Sequence, residues 1–470
     1  MIFCILLLLG FVNGCFSVHS IYNNDYYWHI SVGRWIIENK QIPHTDLFSW
    51  VGKRDNFTFI SHEWLSDIIM YLMGEKLILI VLIIISCLLF YLICKYLKFN
   101  KKLDINCIIK LLYLFMIIKI LSSIEVRPLM FSLLLFNIFL ILIYRLINNK
   151  GKYNFILIVL LQLLWVNLHG GSSSLIPLLL FIMIIYGLVE KLFNIKSNTF
   201  DSKTIKTLIL LFVSILLISL INPYTYKIII YPFINMLDNT MLNDIGEWHS
   251  IDFHGLLGIY YFIILFIPFF ILLINNKKIN FLDLILLFLF LFMSLRSLRF
   301  IQFYIFIGAY IIGKYLNIKL NLKIKYKINE SIIMGFLAIC LFIVGIIQLF
   351  NGIGTIDKNY SYSDKAINKV IKYSPKRMFN DYDNGGYLTY KLYDTDSDVF
   401  INSIYDIYSN NIIYDYNKIV NGIEFNETFE KYDFDLVIVP KNNRVEYYIK
   451  NNSNYKLYYE DNSAVIYIKK

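Results

Sequence analysis

DYYWHISVGRWIIENKQIPHTDLFSW, residues 25–50, and SHEWLSD, residues 61–67, decide how the rest of the chain is read. They lie between a first apolar segment, 2–18, and a second, about 77–97, so they form one long loop on one side of a membrane. The loop is dense in Trp, His, Asp and Glu, whereas most other links carry mainly Lys and Asn. A chain this apolar concentrates its chemistry-capable side chains there.

Composition sets the class. Of 470 residues, 58% are hydrophobic and only 17% charged, with a mean hydropathy of +0.59. Soluble domains carry more charge and shorter apolar runs, so this is an integral membrane protein. The pI near 9.0 does not point to nucleic acid, because the basic residues sit in short links where cytosolic retention accounts for them. Cys4, Cys15, Cys87, Cys94, Cys107 and Cys340 lie in or beside apolar runs, with no metal spacing and no disulfide framework.

The chain is expected to be an α-helical polytopic membrane protein of about 11 spans with a small C-terminal α/β domain. After 2–18 and 77–97, further spans are expected near 105–123, 128–147, 154–168, 174–193, 207–222, 257–275, 281–294, 300–316 and 331–350. Residues 2–18 lack a basic start and read as a first helix or a signal peptide; Val12-Asn13-Gly14-Cys15 faintly resembles a lipoprotein cleavage site. Lys95, Lys98, Lys101 and Lys102 mark a cytoplasmic link, and the Lys/Arg asymmetry of the links puts loop 19–76 outside. The tail then lies outside too, with the N-terminus cytoplasmic. Domain boundaries fall at 1–351 for the membrane part, loop included, and 352–470 for the tail.

The tail holds 17 of the 34 acidic residues. Asp433–Val439 and Ser463–Ile468 read as buried strands, Asp364–Tyr373 as a helix, and Asn384-Gly385-Gly386 as a turn.

In the loop, a helix starting at Asp25 sets Asp25 and His29 four apart on one face. Trp28, Val32, Trp35 and Ile36 line another face, as expected of a helix lying among lipid headgroups. A second helix, 61–73, has Trp64, Leu65, Ile68, Ile69 and Leu72 on its apolar side, with Glu63 and Asp67 four apart on its polar side. Two interfacial helices can hold carboxylates at headgroup depth, where one serves as base toward an acceptor hydroxyl beside a lipid-borne phosphate.

These residues resemble a family. Asp25-Tyr-Tyr-Trp28-His29, Gly33-Arg-Trp35-Ile36, Ile42-Pro-His-Thr-Asp46-Leu-Phe-Ser49 and His62-Glu63-Trp64-Leu65 resemble bacterial polytopic proteins related to GT-C glycosyltransferases. So do Trp165-Val-Asn167-Leu-His169-Gly170, Asn222-Pro223-Tyr224, Glu247-Trp248, Arg299-Phe300 and Asn384-Gly385-Gly386-Tyr387-Leu388. The resemblance implies transfer of a sugar from a polyprenyl-phosphate donor to an envelope glycan or protein acceptor at the outer face of a bacterial plasma membrane. It also implies an acidic catalytic residue in the first outer loop, a role that falls on Asp25. His29 and Glu63 are the other catalytic candidates; His62, Arg127, His169, Glu247 and Arg299 are those for substrate binding. Two positions depart from the family. Asn23 stands where relatives carry an acid, which argues against a divalent metal on an acidic pair, and Asn402-Ser403-Ile404 replaces an Asp-Gly-Arg run. No cofactor is assigned, and a divalent metal stays the open alternative.

Two other classes compete. A non-catalytic protein would use the loop to bind lipid or glycan and the tail to bind a cell-wall partner. A transporter would show acids or Gly/Pro breaks at mid-membrane, but the middles of these spans are almost purely Leu, Ile and Phe.

Overall fold

The computed structural model describes residues 10–12, 14–15, 24–99, 104–148, 153–193, 200–237, 245–275, 278–318, 343, 345–347, 362–408 and 410–470. They divide into two compact units, one built from 24–76 with 362–470, the other from the residues of the apolar helices after 76.

The membrane unit is a helix bundle. Among the described residues six helices are long and apolar enough to cross a membrane: Trp64–Leu97, Ile105–Ser122, Leu129–Ile147, Gly170–Leu192, Ser202–Ser219 and Leu256–Ile274. Asn154–Leu168, Phe281–Arg296 and Ile301–Tyr315 are apolar helices at expected spans but shorter, and Lys227–Leu237 is a further helix where no span was expected. The expected spans 2–18 and 331–350 fall largely outside the described residues. Gly74, at φ +62°, breaks the Trp64–Leu97 helix, so its first turns belong to one unit and its apolar length to the other.

Asp104, Asp201 and Asn280 start their helices with side chains accepting from Cys107, Thr204 and Leu282 N–H groups. The Ile301–Tyr315 helix is buried along most of its length and packs on Phe281–Arg296, Leu256–Ile274 and Ile105–Ser122. Phe136 meets Phe290 and Phe303 edge-on, with ring centroids 5.5 and 5.2 Å apart. Leu157, Leu160, Leu210 and Leu217 are exposed, as a lipid-facing surface requires. Asp283, in the first turn of the Phe281–Arg296 helix, is buried. It accepts from Lys314 Nζ at 2.6 Å and Tyr315 OH at 2.7 Å, which offsets the cost of desolvating it.

The second unit carries a four-stranded sheet in the order β1-β2-β4-β3. Its strands are β1 (Met378–Asn380), β2 (Leu436–Pro440), β3 (Tyr455–Glu460) and β4 (Ala464–Lys469). β1 runs parallel to β2, and the other pairs are antiparallel. The helix at Asp364–Tyr373 begins where the sequence put it, with Ser363 Oγ accepting from Ala366 N–H at 3.1 Å. The Asn384-Gly385-Gly386 turn is corrected: both glycines lie inside the helix Tyr382–Lys391. A Cβ on Gly385 would sit 2.5 Å from Asn402 Cα, so glycine is set here by close packing rather than by a turn.

The loop 24–76 is part of this unit, not a free excursion of the membrane part. The helix Asn24–Asn39 packs against Tyr382–Lys391. Trp28, Val32 and Ile36 are buried with Phe48, Phe59, Ile404 and Ile407. The headgroup-lying face is thereby corrected, because its apolar stripe is covered by tail residues far away in sequence. Trp50 seals the joint. Its N–H donates to Val399 O at 3.0 Å and its indole N–H to Met378 O at 3.0 Å, and its ring lies among Phe400, Tyr432 and Phe434. Arg34 forks onto Asp394 at 2.7 and 2.9 Å, and Lys53 pairs with Asp398 at 2.7 Å.

Candidate functional site

Seven of the eight candidate residues gather in two clusters, and the eighth, Asp25, lies beside one of them in sequence. The first cluster is built on the helices Asn24–Asn39 and Trp64–Leu97, which cross so closely that a Cβ on Gly33 would sit 2.5 Å from the Asp67 carbonyl carbon. One turn before Gly33, the His29 ring is 2% exposed and stacks on Trp28, centroids 3.6 Å apart. His29 Nδ1 meets Asp67 Oδ1 at 2.6 Å, and Ser61 Oγ donates to the other Asp67 oxygen at 3.3 Å. His29 Nε2 lies 3.9 Å from one Glu63 oxygen, and His62 Nε2 lies 3.7 Å from the other.

Asp67 was read as the polar side of an interfacial helix, but it is fully buried. A buried carboxylate needs a charged or hydrogen-bonded partner, and His29 supplies it. With Nδ1 committed to Asp67, Nε2 is the nitrogen left to exchange protons on the Glu63 side. A cavity of about 60 Å³ opens here, lined by Trp28, Ser61, His62, Glu63, Asp67 and Asp406 among others. The Trp28 indole N–H is buried and has no hydrogen-bond partner among the described residues. Asp25 occupies the first turn of the Asn24–Asn39 helix, partly exposed, one turn before His29.

Asp46, from the Ile42–Ser49 motif, has a structural task. Its carboxylate accepts from Phe48 N–H at 2.9 Å, Ser49 N–H at 3.2 Å and the Ser49 hydroxyl. Burial raises its proton affinity, and those hydrogen bonds oppose the rise.

The second cluster belongs to the membrane unit. Arg127 precedes the helix Leu129–Ile147, and Arg299 precedes Ile301–Tyr315. Arg127 pairs with Glu125 at 2.9 Å and with Glu247 through Nη1. Arg299 Nη2 approaches His169 Nε2 at 3.3 Å and lies 5.3 Å from the Trp248 ring centroid. His169 Nδ1 is 2.7 Å from Ser132 Oγ, which also accepts the Trp165 indole N–H at 2.9 Å. Since a guanidinium can only donate, His169 Nε2 is the acceptor and Nδ1 carries the hydrogen toward Ser132. Ser132 and Trp165 thus fix the ring that steadies Arg299; Ser132, inside a Leu/Phe run, gave no signal in the sequence.

Arg127, Glu247 and Arg299 line a cavity of about 270 Å³ with Glu125, Tyr261, Gln302 and apolar side chains. Burial alone would raise the Glu247 carboxyl, but Arg127 and Arg299 together outweigh it and hold it below the usual range. Helix N-termini at Leu129 and Ile301 add partial positive charge.

No protein-family model matches the chain, and no curated protein matches it at a significant level.

Proposed function

We propose that the protein is a membrane transferase that moves a sugar from a polyprenyl-phosphate donor to an envelope acceptor. The observation that carries this reading is the 270 Å³ cavity. Two guanidiniums and two helix N-termini, ringed by apolar side chains at the ends of apolar helices, match the chemistry of a phosphate borne on a lipid.

In this reading Arg127 and Arg299 hold the donor phosphate. Asp25 takes the proton of the acceptor hydroxyl, and the hydroxyl oxygen attacks the anomeric carbon from the face opposite the phosphate. The bond from that carbon to the phosphate oxygen breaks, and the lipid phosphate leaves with the electron pair. His29, oriented by Asp67, and Glu63 serve the same proton traffic. The reaction faces the outer side of the plasma membrane.

The test is purified protein in lipid, incubated with radiolabelled polyprenyl-phosphate sugars and an envelope extract. Transfer in the wild type is expected to fall at least ~100-fold in Asp25→Asn, the low end for a general base. Full transfer in a folded Asp25→Asn protein would sink the mechanism. A second reading draws on the packing of the loop into the tail, which suits a non-catalytic module that binds glycan or a cell-wall partner. Donor binding without turnover across the acceptor panel, together with unchanged surface phenotype on replacing Asp25, His62 and Glu63, would favour it.

A further inference from the structure

We propose that Glu247 is a built-in stand-in for the ligand's phosphate: its carboxylate lies on Arg127 in the cavity wall that Arg299 shares and is displaced when the phosphate arrives. The inference rests on the reading of this cavity as a phosphate site, and it reassigns Glu247 from substrate ligand to competitor.

The argument is one of charge and reach. The cavity wall carries two arginines and two glutamates, Glu125 and Glu247, and its charge sums to zero. Arg127 is held twice, by Glu125 and by Glu247, so losing Glu247 does not strand it. Arg299 is steadied independently by His169 and Trp248. When Glu247 swings out, the wall becomes singly positive and keeps its shape. A phosphodiester anion, the charge state of a sugar-phosphate lipid, then restores neutrality one charge for one. A carboxylate and a phosphate present the same paired oxygens to a guanidinium fork.

Glu247 is also placed to leave. It sits in a three-residue turn, Gly246–Trp248, and its side chain is 34% exposed. The turn is tied down through backbone groups, with Ser297 Oγ donating to Glu247 O at 2.9 Å and Leu298 N–H to His249 O at 3.1 Å. The side chain can therefore rotate out while the loop stays in position. A further sign that the cavity is built for more than Glu247 comes from Gln302 in its wall, whose buried amide oxygen has no hydrogen-bond partner among the described residues. A hydroxyl on the group attached to the phosphate would satisfy it.

The experiment measures binding of three probes to the full chain in detergent at about pH 5, below the second phosphate pKa of about 6 so that the monoester carries chiefly one charge: farnesyl phosphate, inorganic phosphate and farnesol. Wild type, Glu247→Gln, Glu247→Asp and Arg127→Gln are compared. Removing the competing charge is expected to tighten farnesyl phosphate roughly tenfold in Glu247→Gln, the range of one charge-assisted pair. The shorter carboxylate of Glu247→Asp should tighten it less; this variant also carries the test if the glutamine protein does not fold. Arg127→Gln should lose binding, and farnesol should not bind. Equal or weaker binding in Glu247→Gln, with Arg127→Gln still deficient, would overturn the stand-in and leave the phosphate site intact. Unchanged binding in Arg127→Gln would overturn both. Inorganic phosphate gaining the same factor while farnesyl phosphate does not bind would support the displacement and remove the lipid as its source.

Discussion

Gly33→Ala should make the unit formed by 24–76 and 362–470 unfold at markedly lower temperature, because two helix backbones meet at this glycine. The added Cβ would stand 2.5 Å from the Asp67 carbonyl carbon and 3.0 Å from Ile68 N. Ordinary contact begins near 3.4 Å, so the helices must part by about 1 Å. Both obstructing atoms are backbone, and no rotamer change relieves them. Overpacking of this kind costs about 1–3 kcal/mol, and backbone against backbone belongs at the upper end. Separation also stretches the bond from His29 to Asp67, now 2.6 Å, toward ~3.6 Å, beyond hydrogen bonding. A hydrogen bond to a charged group adds ~1.5–3 kcal/mol. Alanine returns about 1 kcal/mol through its better helix propensity. The net loss is ~4 kcal/mol, and at ~2–4 °C per kcal/mol for a unit of this size the midpoint falls by ~8–16 °C. The assay is thermal unfolding in detergent followed by tryptophan fluorescence. Trp28, Trp35, Trp50 and Trp64 all lie in this unit, and only Trp165 and Trp248 in the other. Gly246→Ala is the control, since nothing lies within 4 Å of a Cβ there. A Gly33→Ala midpoint within ~1 °C of wild type would refute the reasoning.

Two further predictions concern the same unit. Burial pushes the Asp381 carboxyl up from 3.8 to about 6, against hydrogen bonds from Tyr362 and Asn384. The folded protein therefore binds this proton more tightly than the unfolded chain. The stability it contributes is fully present below pH 3.8 and is lost as pH rises through 6, amounting to ~3 kcal/mol. Asp381→Asn should show a flatter stability profile than wild type over that window, and parallel profiles would count against it. Trp50→Phe keeps a ring but deletes the donor to Met378 O; a buried carbonyl left unmet costs ~1–3 kcal/mol. Denaturant midpoints should shift accordingly while those of Arg54→Ala, at an exposed pair with Asp55, stay near wild type.

Much of the membrane architecture was legible because long Leu/Ile/Phe runs admit few other structures in lipid. Candidate residues were legible for the opposite reason: Arg127, His169, Glu247 and Arg299 stand out as polar groups at the ends of apolar runs, and they come together around His169 and one cavity. Asp67 was visible as an acid four residues after Glu63, but its depth of burial was not, since helical spacing gives a face and not what covers it. The Gly385-Gly386 pair looked like a turn because turn composition and close helix packing both select glycine.

By itself, then, the sequence determined most of the apolar helices, where the strands β2 and β4 run, and which polar side chains stand out as candidates. Those properties depend on neighbours within a few residues: hydropathy, periodicity and capping. Only the tertiary structure decided that the loop 24–76 is folded into the tail, with Trp28 and Val32 against Ile404 and Ile407, that His29 is held by Asp67, and that Glu247 lies on Arg127. Each joins residues from 38 to more than 300 positions apart. Their partners are chosen by shape and by the cost of burying an unmet charge, and neither leaves a local mark on the chain.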